Sequence, residues 1–334
     1  MGGVVQQCRD ELRATINAVA PFEPVDSAEI TPDHWKAIAK TIYQNYEQYD
    51  SFVVSHGTNT MAQSSMALGL ILGNIGKPVI LTGSQESFEK PNSDAPKNFK
   101  NAFTVAAHCN EQIRGPAVVF QDKIISGMRA CKTSNTKHDA FSTFGDGQDI
   151  GKISGGTIQL NKNALDKHNA NFGNASRREE LDVRPDFDAS GALQPYIVHA
   201  GFNQRSIMDD MKFKPYVKGF ILSCSGDGDP NMKTMTESIE EMRNRRIPCI
   251  VTSHSTDGTS NMVLNEPGVN ARKMGAIPSG ELNPVVCSNY ASWLIAQGCS
   301  YENFPQAMKA NRNEVVRYLP PKQQLHTPQL PLTM

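Results

Sequence analysis

Short apolar runs separated by segments of helical length dominate this chain, and that alternation limits the folds open to it more than any other feature. "SFVVSH" is followed by a helical stretch from about Met61, then by "KPVILTG"; a second helical stretch, "PKNFKNAFTVAAHC", leads into "GPAVVFQDKII". Strands covered on both faces are apolar throughout, and parallel neighbours need a long crossover between them. The pattern therefore predicts a parallel sheet with helices on both faces. It loosens across residues 161–192, which are rich in Asn, Asp and Arg. It resumes with "YIVHAGF", "VKGFILSCS", the helical "MKTMTESIEEMRNRR", "IPCIVTSHS" and two terminal helices around "CSNYASWLIAQG" and "ENFPQAMKANRNEVVRYL". The expectation is an α/β protein: a parallel-sheet N-terminal domain over residues 1–160, a linker over 161–192, and a smaller α/β C-terminal domain over 193–334. The final "QLHTPQLPLTM" reads as a loose tail.

Charge and cysteine usage narrow the function classes. Lys plus Arg (33) nearly cancel Asp plus Glu (34), with no block of like charge, so no polyanion-binding surface is signalled and nucleic acid is not an expected partner. The longest apolar stretch, "ALGLILGNIG", is too short to cross a bilayer, and no secretory signal pattern opens the chain. A cytoplasmic protein without membrane partners is expected. Seven widely spaced cysteines without any C-x-x-C fit reduced thiols better than a disulfide framework or zinc knuckle. The eight histidines show no paired ligand spacing, so neither a metal nor another cofactor is expected.

One strand end carries an unusual cluster. In "VVSHGTNTMAQSS" an apolar run stops at His56-Gly57-Thr58-Asn59-Thr60 and continues as a helix. In an open α/β sheet, residues between a strand's carboxyl end and the next helix sit where ligands bind. Gly57 permits close backbone approach, Thr60 can cap the helix, and the first helical amides are open to a ligand. Equally, Thr and Asn at such a turn can serve as plain caps, with His56 a buried and satisfied polar group.

"HGTNTM" followed by "GKPVILTGSQ" resembles the "HGTDTM... GKPVILTGSQ" signature of the bacterial-type L-asparaginase family, nearest its cytoplasmic type I branch. "PVDSAEITPDHWKAIAKTIYQNYEQYDSFVVSHGTNTM", "NSDAPKNFKNA", "GMRACKTSNTKHDAFST" and "SGELNP" extend the resemblance in order from about residue 24 to 310. It implies hydrolysis of the side-chain amide of asparagine, in some members glutamine, through a Thr nucleophile and an acyl-enzyme. By position it implies catalytic roles for Thr58, Lys132 and Asn59, a grip on the substrate's α-carboxylate by Ser27, and an amide-facing turn at Ser84. Homodimers or homotetramers are implied too, and the partner is a small amino-acid amide. The chemistry fits on its own terms: a Thr hydroxyl needs a base at neutral pH, and a lysine whose pKa falls on desolvation can serve.

The chain also departs from that family. The family's first strand and its Thr-Gly-Gly-Thr turn, which carries a further nucleophile, have no counterpart in "MGGVVQQCRDELRATINAV". Either the missing strand leaves apolar neighbours and backbone groups unsatisfied, or another segment fills its place. "KISGGTIQL" contains Ser-Gly-Gly-Thr, but Gly-Gly between two alternating runs reads as a two-residue hairpin turn, with Thr157 a substitute nucleophile only as the alternative. Asn59 replaces an acid whose charge, in the family, holds the substrate's α-ammonium and helps orient the lysine. In "LSCSGDGDP", Gly228 stands at the family's Asn position between Asp227 and Asp229, a loop read here as a solvated turn before a helix, and Ala28 follows Ser27 where many relatives are polar. The functional expectation is an asparaginase-type amidohydrolase. The alternatives are a relative that binds a small ligand or partner without turnover and, disfavoured by the near-neutral charge, an amide-releasing subunit of a tRNA-dependent amidotransferase.

Overall fold

A computed structural model describes residues 2–145, 147–256 and 258–320; the expected C-terminal tail lies outside them. Helices α1 (Gly2–Leu12) and α2 (Pro32–Gln44) precede strand β1 (Phe52–Ser55), α3 (Met61–Ile71), β2 (Pro78–Thr82), α4 (Ala95–His108) and β3 (Gly115–Phe120). The three strands are parallel neighbours, and every residue of β2 and β3 is buried, which is why their sequences read as unbroken apolar runs. Parallel pairing ends there. Gln121, at φ 51°, and Asp122 turn the chain directly into β4 (Lys123–Ser126), and a link that short can only make an antiparallel pair. After β5 (Ala130–Lys132) and β6 (Phe141–Thr143), which form their own antiparallel pair, β7 (Gly151–Ser154) and β8 (Thr157–Leu160) complete a six-stranded sheet ordered β1-β2-β3-β4-β7-β8. The β7–β8 turn is the Gly155-Gly156 hairpin expected from sequence, with both glycines at positive φ (55° and 80°).

Among the described residues β1 pairs with β2 alone, so β1 is an open edge. Phe52, Val53 and Val54 are only half-buried, whereas Val79, Ile80 and Leu81 beside them are fully buried. No described segment pairs with the other edge of β1.

Residues 161–192 begin with α5 (Lys162–Asn169) and then cross the protein with Phe172, Ala175 and Leu181 buried and Arg184 N–H bonded to Ile71 O (2.9 Å). Strand β9 (Leu193–Ile197), α6 (Arg205–Phe213), β10 (Gly219–Cys224), α7 (Met232–Asn244), β11 (Cys249–Ser253), α8 (Glu266–Lys273) and β12 (Ile277–Pro278) build a second sheet, ordered β12-β11-β10-β9 and parallel throughout. Helices α9 (Pro284–Ala296), α10 (Phe304–Lys309) and α11 (Arg312–Val315) close the described chain. Helix α9 packs on α3, and one apolar cluster holds Met66 and Leu70 together with Ile221, Ile250, Val286 and Trp293. Arg312 is buried within this seam, donating to Leu70 O (2.8 Å) and the Asp182 carboxylate (3.1 Å) and lying over the Trp293 ring.

Candidate active site

The turn after β1 is held by close backbone approach. His56 N–H donates to Thr82 O (2.9 Å), extending the β1–β2 ladder by one residue. A Cβ on Gly57 would lie 2.6 Å from Ser27 Oγ, and one on Gly83 would strike the His56 carbonyl; glycine at both places lets the turns after β1 and β2 and the buried Ser27 meet. Thr60 does not cap α3 with its side chain. Its hydroxyl donates instead to Ser27 O (2.5 Å), fastening the short helical turn Ser27–Glu29 to the site.

Thr58 and Lys132, 74 positions apart, come together here: Lys132 Nζ lies 2.8 Å from Thr58 Oγ1 and 3.1 Å from Asn59 Oδ1. Lys132 ends β5, whose position is set from the C-terminal half by an Arg129–Glu281 ion pair (3.0 Å) and by Asn283 Nδ2 donating to Ala130 O (3.3 Å). Partial burial lowers the Lys132 pKa, and among the described residues no carboxylate pairs with its amine. Burial likewise lowers the pKa of His56, opposed by the contact of its ring with Gly57 O. The backbone N–H groups of Thr58, Asn59 and Ser84 make no hydrogen bond to a described residue. Ser84 sits between Gly83, packed on His56, and Gln85, whose Oε1 accepts from Thr58 Oγ1 (3.0 Å).

Other sequence expectations fall elsewhere. Thr157 lies on β8 at the far edge of the sheet, five strand spacings or roughly 24 Å from β1. The loop around Gly228 is more than a solvated turn. Asp227 is buried and accepts from the N–H groups of Asn261 (2.7 Å), Val263 (2.8 Å) and Leu264 (3.2 Å), while Asp229 binds Asn265 Nδ2 (2.7 Å) and Gly268 N–H (3.2 Å). Gly228 itself has φ 86°. Ala28 is exposed, its N–H donating to the Asp26 carboxylate (2.7 Å). Sequence reasoning missed Gln85 and the buried Asp94: Gln85 is revealed by its contact with Thr58, and Asp94 by accepting from the Gln85 N–H.

Residues 3–166 match the family model described as asparaginase, N-terminal, and residues 197–308 the one described as glutaminase/asparaginase C-terminal domain. The chain belongs to the asparaginase family. An L-asparaginase of Thermococcus kodakarensis is 28% identical over 290 residues, covering 86% of this chain and 82% of that protein. L-asparaginase 1 of Escherichia coli is 28% identical over 298 residues, covering 89% and 83%. The solved structure of the thermostable L-asparaginase from Thermococcus kodakarensis superposes with a TM-score of 0.76 at 24% identity, over 95% of this chain and 92% of that one, which shows a shared fold. Family membership classes the protein as an amidohydrolase of asparaginase type.

Proposed function

We propose that this protein hydrolyses the side-chain amide of L-asparagine, releasing ammonia, with Thr58 as nucleophile and Lys132 as its base. The observation that carries the proposal is the 2.8 Å contact between Lys132 Nζ and Thr58 Oγ1, at an amine whose pKa burial lowers. The neutral amine takes the hydroxyl proton as Oγ1 bonds to the amide carbon. The open N–H groups at Thr58, Asn59 and Ser84 are suited to the developing oxyanion. Collapse expels ammonia, which leaves with a proton from Lys132, and water then cleaves the Thr58 ester to free aspartate. Ser27 and Asn59 would take the substrate's α-carboxylate and α-ammonium, the latter with a neutral oxygen where a carboxylate would bind more strongly. Homodimeric or homotetrameric assembly forms part of the proposal.

The neutral Asn59 beside Lys132, where the family's acid would stand, favours one second reading, binding of an amide without turnover. Ammonia release from asparagine and from glutamine, measured beside a Thr58→Ala control, separates the two. Release that exceeds the control supports the enzyme; equal signals remove it.

A further inference from the structure

Gln85 touches the same Thr58 hydroxyl oxygen that Lys132 touches, and its amide can sit only one way round. Nε2 donates to two backbone carbonyls, Ser134 O and Lys137 O (3.3 Å each), which cannot donate in return, so Oε1 must face Thr58. That oxygen only accepts, and Thr58 therefore donates its hydroxyl hydrogen to Gln85 at 3.0 Å while its lone pairs face the Lys132 amine. The backbone of Gln85 is fixed in turn. Its N–H lies 3.0 and 3.1 Å from the two oxygens of Asp94, which is 5% exposed and also accepts from Glu86 N–H (3.0 Å) and Asn98 Nδ2 (3.0 Å).

We infer that Gln85 is a positioning residue that orients the Thr58 hydroxyl and couples it to the 133–139 loop leading away from Lys132. The kinetic part of this inference rests on the amidase reading; the geometric part does not. Attack requires the O–H to turn from Gln85 toward the amine, so each turnover begins by releasing this contact. Gln85 holds Oγ1 at bonding distance from Lys132 until then.

Two variants test this. Gln85→Met removes both the acceptor and the two donors; Gln85→Glu keeps an acceptor for Thr58, removes the donors and adds a charge near Lys132. For Gln85→Met the expected result is a kcat lower by about ten- to a hundredfold with KM held within about twofold, since a displaced nucleophile costs rate while the substrate contacts at Ser27 and Asn59 remain. Amide hydrogen exchange across residues 133–139 should quicken in both variants. For Gln85→Glu, kcat measured at a pH above the raised Lys132 midpoint should recover part of the loss. The pH midpoint for acylation of Lys132 by acetic anhydride, read by peptide mass spectrometry, should rise by about one unit. The exchange and acylation readouts need no turnover, so a wild-type protein that releases no ammonia would refute the amidase reading alone. Wild-type loop exchange in Gln85→Met, or an unmoved Lys132 midpoint in Gln85→Glu, would overturn the inference.

Discussion

Replacing Asn59 by aspartate tests the charge balance of the site directly. Asn59 Oδ1 lies 3.1 Å from Lys132 Nζ, and Asn59 is exposed, so a water-like dielectric is the right starting point. A carboxylate at that distance would attract the ammonium by about 1.3 kcal/mol, equivalent to about one pKa unit. The sign follows: a new anion stabilises charged Lys132, its pKa rises, and the neutral amine becomes scarcer at a given pH. The rising limb of the activity profile should therefore move up by as much as one unit, with up to a tenfold loss of rate below it. Binding should move the other way, because a carboxylate holds the substrate's α-ammonium through a charge-assisted bond roughly twice as strong as a neutral one. Ammonia release across pH 6–10 gives the first quantity. Calorimetric titration with asparagine, in a Thr58→Ala background to prevent turnover, gives the second. A tighter Kd with an upward-shifted limb is expected. An unchanged Kd would refute the ammonium role of position 59, and an unmoved limb would refute Lys132 as the titrating group.

Two further substitutions probe the scaffold. Gly57→Ala places a methyl group 2.6 Å from Ser27 Oγ and 2.8 Å from its Cβ, so the buried Ser27 must move; overpacking of about 1–3 kcal/mol is expected together with weaker binding of aspartate, and a wild-type Kd by calorimetry would refute the placement of Ser27. His168 is fully buried with its Nδ1 2.9 Å from Ser126 Oγ, and burial pushes its pKa down to about 4. The unfolded chain protonates this ring first, so stability should fall as pH drops from about 6.5 toward 4, by about 3 kcal/mol in all, and level off below. Urea unfolding of wild type and His168→Gln at pH 7 and pH 4.5 reads this, and a wild-type advantage that stays constant with pH would count against it.

The strands and helix around the site were legible because their physics is local. β1, α3 and β2 announce themselves as apolar runs and a small-residue helix, and Gly155-Gly156 marks its hairpin by backbone freedom alone. The switch to antiparallel pairing at β4 was not legible: it turns on Gln121 at positive φ, a residue with no strong turn preference. The short helices α5, α6 and α8 carry too few turns to impose a pattern on polar sequence. Within the site, Thr58 and Lys132 were found through their motifs, but the Thr60–Ser27 and Thr58–Gln85 bonds join segments 33 and 27 residues apart, and no local preference encodes such meetings.

The seam between α3 and α9 has a consequence for how the molecule comes apart. Ile221 and Ile250, on strands of the second sheet, share their interior with Met66 and Leu70 of the first half, and Arg312 is stitched to Leu70 across the same boundary. Cutting the polypeptide near residue 190 would strip an oily flank bare on each fragment, so neither half is expected to melt on its own.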